Sequence, residues 1–213
     1  MGVIMKVIEI FHSIQGEGIL IGKPMTFVRF SGCNLRCTWC DTKYSWEEGK
    51  EMSMDEIMSI IKNFDTEWVC LTGGEPLLQK DIYKFIDTLL KENKKILIET
   101  NGSLSIENIP TEENIVIDMD VKTPSSSMDK FNNFSNIELL GNKDYVKFVI
   151  KDRKDYEYAK EIIRKYDIKC EVVLQPEGNK NLKELAEWVL KDGLNVRVLL
   201  QLHRIIWGDV RGV

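Results

Sequence analysis

The chain has 213 residues, 43% of them hydrophobic and 30% charged, which is enough apolar content to bury a substantial core. Its formal net charge of -5 argues against the basic surface of a nucleic-acid-binding protein, so we expect no nucleic-acid partner. The first residues turn polar too soon for a signal peptide, and we see no apolar segment of membrane-spanning length. We therefore expect a cytoplasmic protein without a membrane partner.

Seven short segments rich in Val and Ile predict strands that are buried on both faces. They cover residues 25–30, 68–72, 95–100, 114–120, 144–150, 170–175 and 196–201. Amphipathic patterns predict helices after a capping box at Ser53 and Glu56, from about Lys80, around residues 159–166 and around residues 182–189. Strands that alternate with helices predict an α/β fold with a mostly parallel sheet.

The helices are fewer than the strands, and the segments 101–113 and 121–143 are too polar and broken for regular helices. We therefore expect a curled sheet that forms an incomplete β/α barrel with reduced helix content, in a single domain spanning residues 1–213. Reactive groups gather at the carboxyl ends of parallel strands. The unusual segments fall there: the cysteine loop, "TGGEP" (72–76), "ETNGS" (99–103), "DVKTP" (120–124), "QPEG" (175–178) and "QLHR" (201–204).

The segment "GCNLRCTWCDT" (32–42) holds Cys33, Cys37 and Cys40 at the spacing of a metal site. Zinc prefers four protein ligands, and a Cys3His site with His12 or His203 is possible on paper, although no second ligand cluster follows. A [4Fe–4S] cluster held by three cysteines instead leaves one iron with an open coordination position. Cys70 and Cys170 lie in apolar segments, and we interpret them as buried thiols.

This cysteine spacing, with Trp39 before the last cysteine, resembles the radical S-adenosylmethionine (SAM) superfamily. The glycine-rich "LTGGEPLL" (71–78) is similar to the segment that binds the SAM amino group there. The resemblance implies a partial β/α barrel of the radical SAM type. It also implies that SAM chelates the open iron and is cleaved to a 5′-deoxyadenosyl radical.

Four further segments resemble the 7-carboxy-7-deazaguanine synthase family over nearly the whole chain. They are "FHSIQGEG" (11–18), "FVRFSGCNLRC" (27–37), "CDTKYSW" (40–46) and "QLHRIIWGDVRGV" (201–213). The resemblance implies a magnesium-dependent lyase that converts 6-carboxy-5,6,7,8-tetrahydropterin to 7-carboxy-7-deazaguanine with loss of ammonia. This reaction serves 7-deazapurine biosynthesis for queuosine or archaeosine.

The resemblance assigns SAM-contacting roles by position. Trp39 is expected against the adenine, although it could simply pack beside the cluster. In the segment 120–122 the family usually has serine and proline before the lysine, so only Lys122 matches firmly. The full expected set is Trp39, Gly74, Glu75, Asp120, Val121, Lys122, Gln175, Pro176, Glu177 and Gly178.

The substrate residues implied by the same pattern are Ile14, Gln15, Gly16, Arg29, Thr72 and the carboxylate of Val213. We add Glu17, as an acceptor for the guanidine-like edge of the pterin, and His203, although a lone histidine is as often structural. A guanidinium pairs well with the substrate carboxylate, although Arg29 could equally form a surface ion pair. The free terminus would be frayed unless it is held, and we expect Ile205, Ile206 and Trp207 to hold it.

Thr42 matches the family's magnesium ligand, but Asp41 and Thr42 could also just cap a turn. The resemblance further implies a flavodoxin or ferredoxin as reductant and a homodimer. Two alternatives remain open from the sequence. One is a radical SAM enzyme that installs a glycyl radical on a protein partner, and the other is a metal-binding or electron-transfer module without catalysis.

Overall fold

One curled sheet organises residues 2–213, the part of the chain that the computed structural model describes. Its strands are β1 (Ile4–Ile14), β2 (Pro24–Phe30), β3 (Lys50–Ser53), β4 (Trp68–Gly73), β5 (Lys95–Thr100), β6 (Ile115–Asp120), β7 (Tyr145–Ile150), β8 (Glu171–Pro176) and β9 (Arg197–Val198). Their order is β3-β1-β2-β4-β5-β6-β7-β8-β9. The strand β1 is antiparallel to β2 and β3, and all pairs from β2 onward are parallel.

The helices are α1 (Met54–Phe64), α2 (Ile82–Lys91), α3 (Arg153–Lys165), α4 (Leu182–Asp192) and α5 (Leu202–Trp207). The predicted capping box begins α1: the Ser53 hydroxyl accepts from the Glu56 N–H at 3.3 Å, and the Glu56 carboxylate accepts from the Ser53 N–H at 2.7 Å. The predicted irregular segments contain only short 3-10 turns and no α-helix. Each helix of the described residues is too short or too polar to span a lipid bilayer.

The mostly parallel, incompletely closed sheet with few helices confirms the predicted fold class, with three local corrections. The predicted strand 196–201 is wrong in extent, because only Arg197–Val198 pairs with the sheet and the chain then turns into α5. The strands β1 and β3 were not predicted. Polar residues such as Glu9, His12 and Ser13 obscure the apolar pattern of β1, and β3 has only four residues.

The alternation of strand side chains separates two cores. The outer core joins the sheet to α1–α4 and includes Val28, Leu71, Ile98, Val146 and Leu174. The inner core fills the concave side of the sheet and comprises Met25, Phe27, Trp68, Cys70, Leu97, Val116, Tyr145 and Val173. Because side chains alternate along a strand, the next inward positions toward the carboxyl ends lie two residues further on. Those positions are polar: Arg29, Thr72, Glu99, Asp118, Lys147 and Gln175.

Candidate active site

A cavity of about 330 Å³ lies above this polar layer, at the carboxyl ends of the parallel strands. It brings together almost all the residues that the sequence predicted for the site. Those lining it are Cys33, Cys37, Cys40, Trp39, Thr42, Gly74, Asp120, Lys122, Gln175, Glu177, Gly178, Ile14, Gln15, Gly16, Glu17, Arg29, Thr72, His203 and Val213. Of the predicted SAM residues, Glu75, Val121 and Pro176 do not line it, because their side chains are buried behind the cavity wall.

The cysteine loop is held against the turn after β4. The Glu75 N–H donates to the Gly32 carbonyl at 2.8 Å, and a Cβ at Gly74 would lie 2.1 Å from the same oxygen. Glycine at 74 therefore permits this close approach of the two backbones. The loop 33–40 then presents Cys33, Cys37 and Cys40 to one cavity.

The three cysteines supply the kind of ligand that an iron–sulfur cluster takes, and all three line one cavity. Within residues 2–213, no three His, Cys, Asp or Glu side chains approach closely enough to hold one metal ion. His12, on β1, has its ring centre 5.8 Å from that of Phe64 on α1 and does not line the cavity.

The two remaining cysteines are buried thiols, as predicted. Cys70 belongs to the inner core and Cys170 to the outer core, and neither lines the cavity. Burial raises the pKa of both thiols, that of Cys170 to about 11. Because neither thiol reaches the cavity, neither is placed to bind a metal there.

Glu75 anchors the backbone beneath the cavity. Its carboxylate is fully buried and accepts from the Thr100 hydroxyl, from the Asn101 N–H at 2.7 Å and from the Leu77 N–H at 3.0 Å. Burial raises the pKa of Glu75 to about 7, and these hydrogen bonds act in the opposite direction. Its side chain therefore joins the turn after β4 to the end of β5.

Trp39 lies in a polar setting on one side of the cavity. Its indole N–H donates to the Ser125 hydroxyl at 3.0 Å, and Ser125 in turn hydrogen-bonds the buried Asp155 at the start of α3. The Lys122 ammonium lies 5.6 Å from the centre of the Trp39 ring and 2.7 Å from Asp120 Oδ2. These contacts fix the orientation of the Trp39 ring.

A buried charged group lies next to Asp120. Lys147 Nζ lies 2.7 Å from Asp118 Oδ2 and 3.1 Å from Glu17 Oε2, and Gln201 donates to Glu17 Oε1 at 2.7 Å. Burial raises the pKa of Glu17, but Lys147 and the Gln201 amide outweigh it and lower the net value to about 2. Burial raises the pKa of Asp118 to about 7 despite Lys147. Glu17 therefore carries a full negative charge at neutral pH.

Glu99 is a cavity residue that the sequence reasoning missed. Its carboxylate accepts from the Gln15 amide at 2.9 Å and from the Thr72 hydroxyl at 2.6 Å, two residues that were predicted. Lys147 was missed as well. The signal for both lies in the strand alternation, because Leu97 and Glu99 share one face of β5, and Tyr145 and Lys147 share one face of β7.

Arg29 lines the cavity and also forms an ion pair. Its Nε lies 2.8 Å from Glu9 Oε1, the residue opposite it on β1. The Tyr44 hydroxyl donates to the same oxygen at 3.2 Å. Thr42, two residues before Tyr44, lines the cavity and donates to Asp41 at 2.7 Å, so its hydroxyl stands at the cavity edge within a turn.

The C-terminal segment, residues 208–213, lies along the cavity. The expectation that Ile205, Ile206 and Trp207 hold it is wrong, because these side chains are exposed to 62%, 48% and 36%. Arg211 holds it instead. Its Nε lies 3.2 Å from Glu9, its Nη1 lies 3.1 Å from Glu48, and its guanidinium lies 3.9 Å from the Tyr44 ring centre.

Comparisons with known proteins agree with this architecture. Residues 27–189 match the radical SAM superfamily. The crystal structure of QueE from Escherichia coli has the same fold, with a TM-score of 0.79 at 23% identity over 94% of this chain and 95% of that one.

Sequence relatives narrow the family. The 7-carboxy-7-deazaguanine synthase of Thermoplasma acidophilum is 46% identical over 98% of this chain and 100% of its own length. That of Koribacter versatilis is 38% identical over the same shares of the two chains. The chain therefore belongs to the radical SAM superfamily and, within it, to the 7-carboxy-7-deazaguanine synthase family.

Proposed function

We propose that this chain converts 6-carboxy-5,6,7,8-tetrahydropterin to 7-carboxy-7-deazaguanine and ammonia in 7-deazapurine biosynthesis. The observation that carries the proposal is one cavity lined both by the three cysteines of the radical SAM motif and by polar residues suited to a carboxylated pterin. Family membership makes the chain an enzyme that uses a [4Fe–4S] cluster, SAM and Mg²⁺. When bound, the cluster and SAM supply a 5′-deoxyadenosyl radical that removes a hydrogen atom from substrate C6.

We assign the cluster to Cys33, Cys37 and Cys40, and SAM to the cavity side with Trp39, Gly74 and Lys122. The Trp39 ring offers a stacking surface for adenine, which is worth roughly 1–3 kcal/mol per base in other proteins. The remaining proposed SAM residues on the cavity wall are Asp120, Gln175, Glu177 and Gly178. The side chains of Glu75, Val121 and Pro176 face away, so any contact of theirs with SAM would come from the main chain.

The substrate would occupy the side of the cavity lined by β1, β2 and the C-terminal segment. We propose that the Arg29 guanidinium binds the substrate carboxylate, since only its Nε is engaged by Glu9. The ionised Glu17 would accept from the guanidine-like edge of the pterin. Gln15, Thr72 and Glu99 form one hydrogen-bonded set that would fix the ring plane. Ile14, Gly16, His203 and the carboxylate of Val213 complete this side.

These residues orient the substrate and exclude water, while the bond-breaking chemistry belongs to the cofactors. Cleavage of SAM needs one electron from outside, for which we propose a flavodoxin or ferredoxin. We also propose that residues 1–213 act as one domain, since a single sheet carries the cavity. The exposed Ile205, Ile206 and Trp207 favour a subunit contact, in keeping with a proposed homodimer. The proposed location is the cytoplasm.

The direct test of the proposed reaction is product formation. The protein would be reconstituted anaerobically with iron and sulfide, reduced with dithionite, and given SAM, Mg²⁺ and 6-carboxytetrahydropterin. We expect mass spectrometry to detect 7-carboxy-7-deazaguanine well in excess of 5′-deoxyadenosine, because SAM is regenerated. SAM cleavage without this product would refute the substrate and favour the alternative of a glycyl-radical-installing enzyme.

Magnesium is assigned to Thr42, whose hydroxyl stands at the cavity edge. One threonine is too few ligands for Mg²⁺, so substrate oxygens and water would complete the octahedron. We expect Thr42→Ala to remove the dependence of turnover on Mg²⁺ concentration and to lower turnover. Thr38→Ala is the control, since Thr38 lies in the same loop but donates to Ser126 and Ser127. Unchanged magnesium dependence in Thr42→Ala would refute the assignment.

A further inference from the structure

Lys147 occupies an unusual position between three carboxylates. Its side chain is 6% exposed, and its Nζ lies 2.7 Å from Asp118, 3.1 Å from Glu17 and 3.6 Å from Asp120. The carboxylates come from two places in the fold, since Asp118 and Asp120 lie on β6 and Glu17 follows β1. One ammonium group with three N–H donors therefore joins the loop after β1 to the centre of the sheet.

Neutralising a buried charge does not by itself explain this geometry. Asp118 alone would pair with Lys147, since it is 1% exposed and does not line the cavity. Lys147 nevertheless reaches Glu17 and Asp120, which both line it. Asp120 Oδ1 has no hydrogen-bond partner in residues 2–213, so on that side only the Lys147 charge constrains the Asp120 carboxylate.

The two cavity carboxylates belong to different halves of the proposed site. Glu17 is held by Gln201 on the side proposed for the pterin. Asp120 is paired with Lys122, which faces Trp39 on the side proposed for SAM. The Lys147 ammonium contacts both carboxylates directly. Lys147 therefore links a carboxylate on each side of the boundary between the two halves.

We propose that Lys147 is a positioning residue that sets the spacing between the pterin and SAM halves of the cavity. The inference rests on the proposed function, because it takes the two halves to hold those two ligands. Radical transfer depends steeply on the placement of the reacting atoms. Loss of Lys147 should therefore uncouple SAM cleavage from product formation more than it slows SAM cleavage itself.

The test uses cluster-loaded enzyme that carries Lys147→Met, alone or together with a substitution of Asp118. Lys147→Met removes the charge and keeps the length, but it leaves Asp118 and Glu17 without their cation while Asp120 keeps Lys122, and this is strongly destabilising. Lys147→Met combined with Asp118→Asn removes one charge of each sign and is the variant on which the proposal depends. Lys160→Met is the matched control, since Lys160 also pairs with two carboxylates, Asp192 and Glu157, but lies on α3 away from the cavity.

We expect the double variant to form 5′-deoxyadenosine with a ratio of deoxyadenosine to product raised by about tenfold or more. We also expect the affinity of unreduced enzyme for 6-carboxytetrahydropterin, measured by calorimetry with SAM present, to fall by about tenfold. The conservative Lys147→Arg should change the ratio and the affinity less than the double variant does. Lys160→Met should change neither the ratio nor the affinity.

A folded double variant with the wild-type ratio and affinity would overturn the proposal. Unfolding of Lys147→Met both alone and combined with Asp118→Asn would also overturn the proposal. So would a parallel loss of SAM cleavage and product, because the role of Lys147 would then be structural. Wild-type enzyme that makes no product would instead refute the proposed substrate. In that case Lys147 would be judged by SAM affinity alone, which the proposal predicts to fall in the double variant.

Discussion

Glu17 keeps its negative charge inside the protein because its two carboxylate oxygens face Lys147 and the Gln201 amide. Burial opposes ionisation, yet the net pKa is about 2 against an ordinary value of 4.5. The carboxylate therefore stabilises the folded state above pH 4.5, and this contribution is lost as the pH falls toward 2. Glu17, which we propose accepts hydrogen bonds from the substrate, thus also contributes to folding stability.

The lowered pKa of Glu17 makes the stability of the protein depend on pH. Between pH 7 and pH 3, wild-type protein should lose roughly 2 kcal/mol of unfolding free energy through Glu17 alone. Glu17→Gln should lack this loss, because the glutamine amide does not bind a proton in this pH range. Urea unfolding followed by tryptophan fluorescence at several pH values measures the difference between the two proteins. Parallel pH profiles would show that Glu17 is not held in its charged form.

Gly16 has no room for a side chain, because a Cβ there would lie 2.1 Å from His203 Nδ1 and 3.0 Å from His203 Cβ. The Gly16 carbonyl also accepts from the Leu202 N–H at 2.8 Å, at the start of α5. We expect Gly16→Ala to displace His203 and to raise the KM for substrate by about tenfold. Gly141→Ala is the control, since its nearest contact would be an ordinary 3.7 Å. A wild-type KM in Gly16→Ala would show that His203 does not take part in substrate binding.

At the scale of elements, Arg211 joins the C-terminal segment to β1 and to the residues after the cysteine loop. Arg211 contacts Glu9, which pairs with Arg29, and covers Tyr44, two residues after Thr42. The segment, the proposed carboxylate-binding arginine and the proposed magnesium loop therefore share one set of contacts. Exposed ion pairs contribute only about 0–1 kcal/mol each, so this set positions the segment more than it stabilises the fold.

We expect Arg211→Ala to raise the KM for substrate by about tenfold with little change in Tm, because the Val213 carboxylate loses its fixed position. Steady-state kinetics and thermal unfolding together give both quantities. Arg197→Ala removes a comparable exposed pair, with Glu171 at 2.9 Å on β8 and β9, and should change neither. An unaltered KM in Arg211→Ala would mean that the segment does not contact substrate.

The elements also show where sequence patterns lose information. The buried parallel strands were predictable, since a continuous apolar segment has few other structures open to it. The antiparallel β1 was missed, because Glu9, His12 and Ser13 interrupt its apolar pattern. The apolar residues of α5 were read as an anchor, yet they face outward, and no periodicity in so short a helix indicates which face is buried.

At the scale of the molecule, the sheet is layered along its strands. Apolar residues that point inward form the inner core, and the next inward-pointing residues along the strands form the polar layer beneath the cavity. The loops above this layer carry the cysteines. The motif residues were predictable because their spacing is specific. Glu99 and Lys147 were not found, because the strand alternation that places each beside the cavity is a signal only once the inward face of its strand is known. Only the register of the strands brings them to the cavity.

The central claim is that this cavity holds substrate C6 against SAM. The most direct measurement uses 6-carboxytetrahydropterin deuterated at C6 and determines the mass of SAM recovered after many turnovers. Deuterium removed from C6 would enter the methyl group of 5′-deoxyadenosine, where it mixes with two hydrogens, so regeneration of SAM would leave part of the deuterium in SAM. We predict deuterium in recovered SAM together with 7-carboxy-7-deazaguanine. Product accompanied by deuterium-free SAM, or SAM cleavage with no transfer of deuterium, would contradict the account.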